Sequence, residues 1–140
     1  MDDRIILLLS KATNKLKNYL IKESQAHGVK ISSGQSGVLF LLQQNNCQKM
    51  TELGKALETD NSAITRIIDK LEEAGLVERG MNEKDRRQYL ISITDQGDKE
   101  ANKMKMIAVK TNQKIKEGFT EEEIDIFKRV LNSFFYKFDN

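Results

Sequence analysis

The chain is 140 residues long, with 39% hydrophobic and 31% charged residues and a formal net charge of +2. That length suits one domain or one compact protomer, and that composition can build a core, which excludes a fibrous or low-complexity chain. So small a positive charge excludes overall basicity as the route to a polyanion: residues 49–94 hold eight basic and nine acidic side chains, so an anion-binding face there must come from sorting charges onto one surface.

The first residues, Met1-Asp2-Asp3, are acidic where a secretory leader would be basic. The apolar run at 5–9 is far shorter than a membrane span. The single cysteine, Cys47, rules out an internal disulfide and fits a reducing compartment. The expected localisation is therefore cytoplasmic, with no membrane partner.

In chain order, residues 4–25 are expected to form a helix, because Ile5, Leu8, Leu9, Ala12, Leu16, Tyr19 and Leu20 recur at helical spacing. His27-Gly28 stops it, with His27 as a helix-end residue. A second helix is expected over 34–45 around "VLFLL", with Ser33 as its N-cap. Residues 50–57 form a short helix with Leu53, Ala56 and Leu57 inward, and "ETD" (58–60) is a tight connection. A fourth helix covers about 61–74, capped by Asp60 or Asn61. Its apolar stripe is Ile64, Ile67, Ile68 and Leu71, and Gly75 stands where a left-handed C′ residue belongs.

Two strands follow, Leu76–Arg79 and the alternating "QYLISIT" (88–94), joined by a long charged tip. Thr94 caps a long helix over roughly 95–117 with Ala101, Met104, Ile107 and Ala108 inward. Thr120-x-x-Glu123 is a capping box that opens a last helix striped by Ile124, Phe127, Val130, Leu131, Phe134, Phe135 and Phe138. The proline-free chain shows no linker or repeat, so it is taken as one protomer, 1–140. The order helix, helix, helix-turn-helix, hairpin, helix, helix predicts a mainly α fold with a small β-hairpin wing: a winged helix-turn-helix over 34–94, flanked by helical parts at 1–30 and 95–140.

The outward face of the 61–74 helix carries small polar groups near its N-terminus and cations beyond: Asn61, Ser62, Thr65, Arg66 and Lys70. Such a face can enter a major groove about 12 Å wide, with Arg66 forking to guanine or clamping a phosphate. It would also suit an ordinary solvated surface helix. The hairpin adds Arg79, Lys84, Asp85, Arg86 and Arg87. A chain reversal needs only two residues, so a long cationic tip has another use: arginines there can reach over a phosphate ridge into a narrow minor groove. Asp85 can hold an arginine's geometry by a forked pair. These residues point to double-stranded DNA as a partner.

The segments "ELGKAL", "SAITRIIDKLEEAGLVER" and "DRRQYLISIT", in this order within residues 50–94, resemble the winged-helix core of the MarR family (multiple antibiotic resistance regulators). The last segment holds the family's Asp-x-Arg element as Asp85-Arg86-Arg87. The chain departs from the family pattern at Gly54, where alanine is usual, and at 58–60, where a glycine is usual. The flanking helices match in number and length.

The resemblance implies a non-enzymatic transcriptional regulator, most often a repressor, that binds a pseudo-palindromic operator as a symmetric homodimer. It implies that Arg87 is the wing's DNA contact with Arg86 assisting, and that the first helix and the last two build the dimer. Ile5, Leu8, Leu9, Phe127, Leu131, Phe134, Phe135 and Phe138 are the expected interface, since the aromatic tail helix has more apolar surface than a small protomer needs. The family also implies release of DNA by a small aromatic or anionic effector, for which Tyr19, His27 and Val38 are the candidate lining.

Cys47 is expected to be a packing residue and not a redox sensor, since the family's sensing cysteine lies in the first helix. One histidine and one cysteine give no metal-ligand spacing, so no metal or other cofactor is expected. "GQSG" (34–37) is one residue short of a nucleophile elbow and lacks partners. The alternative to a DNA-reading regulator is a winged-helix module for protein contacts, which would tolerate loss of Arg66 and Arg87.

Overall fold

The computed structural model describes residues 4–29, 31–85 and 88–139, with Ser33 described by its backbone alone. The wing residues Arg86 and Arg87 lie outside the described residues. The elements run α1 (Ile5–Ala26), α2 (Ser33–Gln44), β1 (Gln48–Lys49), α3 (Met50–Ala56), α4 (Asn61–Glu73), β2 (Val77–Met81), β3 (Tyr89–Ile93), α5 (Asp95–Lys116) and α6 (Glu121–Lys137). The mainly α fold with a hairpin wing is therefore present. Two compact units divide the chain, Met1–Ile107 and Ala108–Asn140.

In the first unit, each helix of the helix-turn-helix is fixed by local chemistry. The Asp60 carboxylate accepts from the Ala63 N–H at 2.7 Å and caps α4. The inward stripe of α4, Ile64, Ile68 and Leu71, is fully buried, each side chain contributing about 1.5–3 kcal/mol of burial. Gly75 ends α4 with φ of 76°. Its N–H bonds Glu72 O and the Leu76 N–H bonds Leu71 O, a paired closure that needs a left-handed residue at Gly75. Leu71 and Leu76 meet in the core.

The cap of α2 is Ser32, not Ser33. The Ser32 hydroxyl accepts from the Gln35 N–H while Gln35 Oε1 accepts from the Ser32 N–H. A glutamine three residues on completes the reciprocal pair for Ser32, whereas Ser33 has Ser36 there, which is too short to reach back. The core joins Val38, Leu39 and Leu42 of α2 to Leu53, the α4 stripe, Leu76, Val77, Ile91 and Ala101.

The sheet has three strands in the order β1-β3-β2, all antiparallel. The two-residue β1, which the sequence pattern did not reveal, pairs Gln48 with Ile91 and Lys49 with Leu90. In the hairpin Val77 faces Ile93, Arg79 faces Ile91 and Met81 faces Tyr89.

Thr94 ties the sheet to α5. Its N–H bonds Leu76 O, its hydroxyl donates to Gly75 O at 2.7 Å, and the same oxygen accepts from the Gly97 N–H. Gly97 lies so close to β2 that a Cβ there would stand 2.1 Å from Leu76 O and 2.8 Å from Ile93 Cγ1. Gln43 of α2 reaches α5 as well, its Nε2 donating to Asp98 Oδ1 at 2.7 Å and Asn102 Oδ1 at 3.1 Å.

The second unit is the end of α5 and the whole of α6. Thr120 and Glu123 form the capping box, with the Thr120 hydroxyl accepting from the Glu123 N–H and the Glu123 carboxylate from the Thr120 N–H. Three glutamates in the first turn and Lys137 in the last complement the helix dipole. Phe134 and Phe138 pack edge to face with centroids 5.5 Å apart. No helix among the described residues is long and apolar enough to cross a membrane.

Candidate nucleic-acid interface

A helix advances about 100° per residue, so burial of Ile64, Ile68 and Leu71 dictates what α4 presents. Ser62 and Arg66 stand opposite that stripe, and both are exposed. Thr65 and Asp69 fall on one flank, toward the wing, and Lys70 on the other. The Thr65 hydroxyl donates to Asn61 O at 2.7 Å, which leaves its lone pairs as acceptors.

The wing flank of α4 forms a cleft of about 150 Å³, lined by Met50, Thr51, Asn61, Ile64, Thr65, Gln88 and Tyr89. A second hollow of about 350 Å³ adjoins it through Thr51, Asn61 and Gln88, and brings Lys49 and Lys55 to its wall. Thr51, Gln88, Tyr89, Lys49 and Lys55 were not among the expected contacts, yet they share this surface with Asn61 and Thr65. Their signal was available. Lys49 precedes and Lys55 lies within a short helix whose inward side is already taken by Leu53, and Tyr89 is the first residue of an alternating strand.

Lys70 is placed elsewhere. With Gly28, Ile31, Gln35, Leu71, Ala74, Leu76, Gln96 and Glu100 it lines a cavity of about 360 Å³ behind α4, so it does not join Thr65 and the wing.

Lys84 is exposed at the tip, its N–H held by Asn82 Oδ1 at 3.0 Å. The Asp85 N–H bonds Asn82 O, and Asp85 O accepts from the Gln88 N–H, so the tip is braced by its own backbone. The expected pairing of Asp85 with a wing arginine involves residues outside those described. Arg79, expected on the DNA-facing edge, is turned toward α4. Its Nη2 donates to Asp69 Oδ1 at 2.5 Å, its guanidinium lies 5.3 Å from the Tyr89 ring centroid, and its side chain is 20% exposed.

Strand register explains this orientation. Side chains alternate along β2, so Arg79 shares a face with Val77, which is buried against the helices. Tyr89 is its diagonal cross-strand neighbour, within reach of a long side chain.

The other candidates are dispersed. Ile5 and Leu8 on α1 are 61% and 66% exposed, and Leu9 is half-buried. On α6, Phe127 and Phe135 are exposed and Leu131 and Phe134 half-buried, and Phe138, at its C-cap, is exposed. Tyr19 is half-buried. His27 terminates α1, its Nδ1 2.9 Å from Glu23 O. Val38 is fully buried and offers no surface to a ligand in this structure. None of these three lines the 360 Å³ cavity. Cys47 is exposed, with φ of 63°, so it is not the packing residue expected. Its position in a turn between α2 and β1 keeps the thiol out of the core. Among the described residues no cluster of His, Cys, Asp or Glu could hold a metal ion.

Comparison with known proteins matches this architecture. The MarR family model fits residues 31–89, which span α2 to the start of β3. The HTH-type transcriptional repressor MdtR of Bacillus subtilis is 33% identical over 94 residues, 67% of this chain and 59% of MdtR, so the chain matches less than two thirds of that relative's length. The transcriptional regulator YkoM of the same organism is 27% identical over 118 residues, 84% of this chain and 75% of YkoM. A mutant MarR from Escherichia coli, solved in complex with operator DNA, superposes with a TM-score of 0.81 at 24% identity, covering 94% of this chain and 93% of that one. The order of α2, α3, α4 and the wing matches the MarR family model over residues 31–89, and the chain shares the fold of the MarR structure, so the chain is similar to the MarR family.

Proposed function

We propose that the chain is a transcriptional regulator that binds double-stranded DNA in a sequence-specific manner as a homodimer. The observation that carries this reading is the pairing of α4, with Ser62 and Arg66 exposed, with a braced hairpin whose tip presents Lys84. A helix for a major groove and a projecting wing for the adjacent backbone are the two parts a winged helix-turn-helix needs. Arg86 and Arg87 would extend the wing's reach into the minor groove. The match of residues 31–89 to a family of regulators supports the same class.

Repression is the favoured direction of control, since MdtR carries that description. Homodimerisation would cover the apolar faces of α1 and α6. Release by a small effector is supported by the PcaV regulator of Streptomyces coelicolor, solved with its natural ligand and superposing with a TM-score of 0.76. Tyr19 and His27 stay the proposed effector contacts, with Val38 able only to back them from the core. A regulator of this kind works in the cytoplasm.

Footprinting on the DNA flanking the chain's own gene tests the reading. Protection of a pseudo-palindrome with half-sites about one helical turn apart is the expected result. No protected site, and equal weak binding to any duplex, would favour the protein-contact module.

A further inference from the structure

We propose that Arg79 is a positioning residue: by gripping Asp69 it locks the wing to α4 and sets the spacing at which the two meet DNA, without itself contacting phosphate. The proposal rests on the DNA-binding reading above. The base of the hairpin is held to α4 by the Gly75 corner, by the Thr94 bonds and by the buried Leu76 and Val77. The bond from Arg79 Nη2 to Asp69 Oδ1 adds a direct side-chain tie between β2 and α4, between residues ten apart in sequence. It fixes the angle of the two elements beyond what the base alone sets.

Three features suit Arg79 to this use. Register points it at the helix, on the face of Val77 and Ile91. Its guanidinium stacks over Tyr89, so the side chain is held before it meets the carboxylate. Its Nε is buried with no hydrogen-bond partner among the described residues, which leaves the group committed to the interior side of the wing.

Asp69 explains why the pair is wanted. It sits on the wing flank of α4, where an uncompensated carboxylate would repel a phosphate backbone. Held by Arg79, its charge is neutralised and its position becomes part of the frame. An exposed ion pair by itself contributes little, and Asp69 is 51% exposed. The effect of the clamp is therefore geometric, and it should appear in discrimination between sequences more than in folding.

The test compares Arg79→Gln, Asp69→Asn and the swapped pair Asp69→Arg with Arg79→Asp in the full chain. Binding to the footprinted operator and to an unrelated duplex is measured across a salt series. Each single variant is expected to lower the operator-over-unrelated ratio by about three- to tenfold while the salt slope stays that of the wild type. The swapped pair should recover most of the ratio. A direct phosphate contact gives a different pattern. Arg79→Gln would then lower the slope by about 1, Asp69→Asn would bind more tightly, and the swap would recover nothing. That pattern overturns the proposal. If the wild type binds no duplex, the DNA reading fails separately, and amide exchange across residues 77–81 decides the clamp. Faster exchange in Asp69→Asn supports it; unchanged exchange overturns it.

Discussion

At the scale of single residues, Arg66 is the side chain on which sequence readout would turn if α4 enters a major groove as proposed. It stands opposite the buried stripe of α4, one turn beyond Ser62, and is exposed. If it reads a base edge, Arg66→Ala should weaken operator binding by about 1–3 kcal/mol and relax specificity at one position. If it holds only a phosphate, the loss will be the same on every duplex and the salt slope will fall by about 1. Competition binding on single-base operator variants separates the two. Arg66 was legible in the sequence because helical spacing alone assigns it outward. The orientation of Arg79 was equally legible. The alternation that buries Val77 also turns Arg79 toward α4. Lys70 shows the limit of a one-helix view, because its flank of α4 is set by where α2 and α5 pack, which no local pattern encodes.

At the scale of elements, the long helices and their ends follow from local signals. The Asp60 cap, the Gly75 closure and the Thr120–Glu123 box each involve residues within five positions of one another. Strand β1 does not. Its two residues exist as a strand only through pairing with Ile91 and Leu90, some forty residues away, so no window of sequence could show it. The junction of α5 with the sheet is also non-local. The sequence marks Thr94 as a cap but gives no hint that Gly97 abuts Leu76 O. Gly97→Ala must displace either the first turn of α5 or the start of β2, since the opposing atom is backbone. Overpacking of this kind costs about 1–3 kcal/mol, which should lower the thermal midpoint by roughly 3–10 °C. A midpoint unchanged within a degree would mean that α5 enters from the sheet less tightly than this geometry requires. Because Thr94 also bonds Gly75 O, the same variant is expected to disturb the end of α4 and to weaken operator binding.

At the scale of the whole molecule, the unresolved balance is apolar surface. In the protomer Ile6, Leu8, Phe135 and Phe138 are 85%, 66%, 76% and 73% exposed. Scattered apolar residues on a surface need no explanation, but a run at the start of α1 and a second along α6 are more than a monomer usually leaves in water. A second copy of the chain related by a two-fold axis would cover either run, since a patch then serves on both sides. The substitution Phe135→Glu distinguishes this from a solvated face. On a monomer, a change at so exposed a position shifts stability by no more than about 0.5 kcal/mol. At a dimer interface it buries a charge against apolar surface, and dissociation should rise by at least about tenfold. Sedimentation equilibrium reads the mass directly, and thermal unfolding at fixed concentration shows whether the protomer survives. The DNA consequence follows from the same linkage. Two heads held about 34–36 Å apart would engage two half-sites together, so splitting them should lose avidity while each head keeps its own contacts. A Phe135→Glu protein should therefore footprint half-sites weakly and independently. A wild-type chain that sediments as a monomer at micromolar concentration would leave the two apolar runs without this partner.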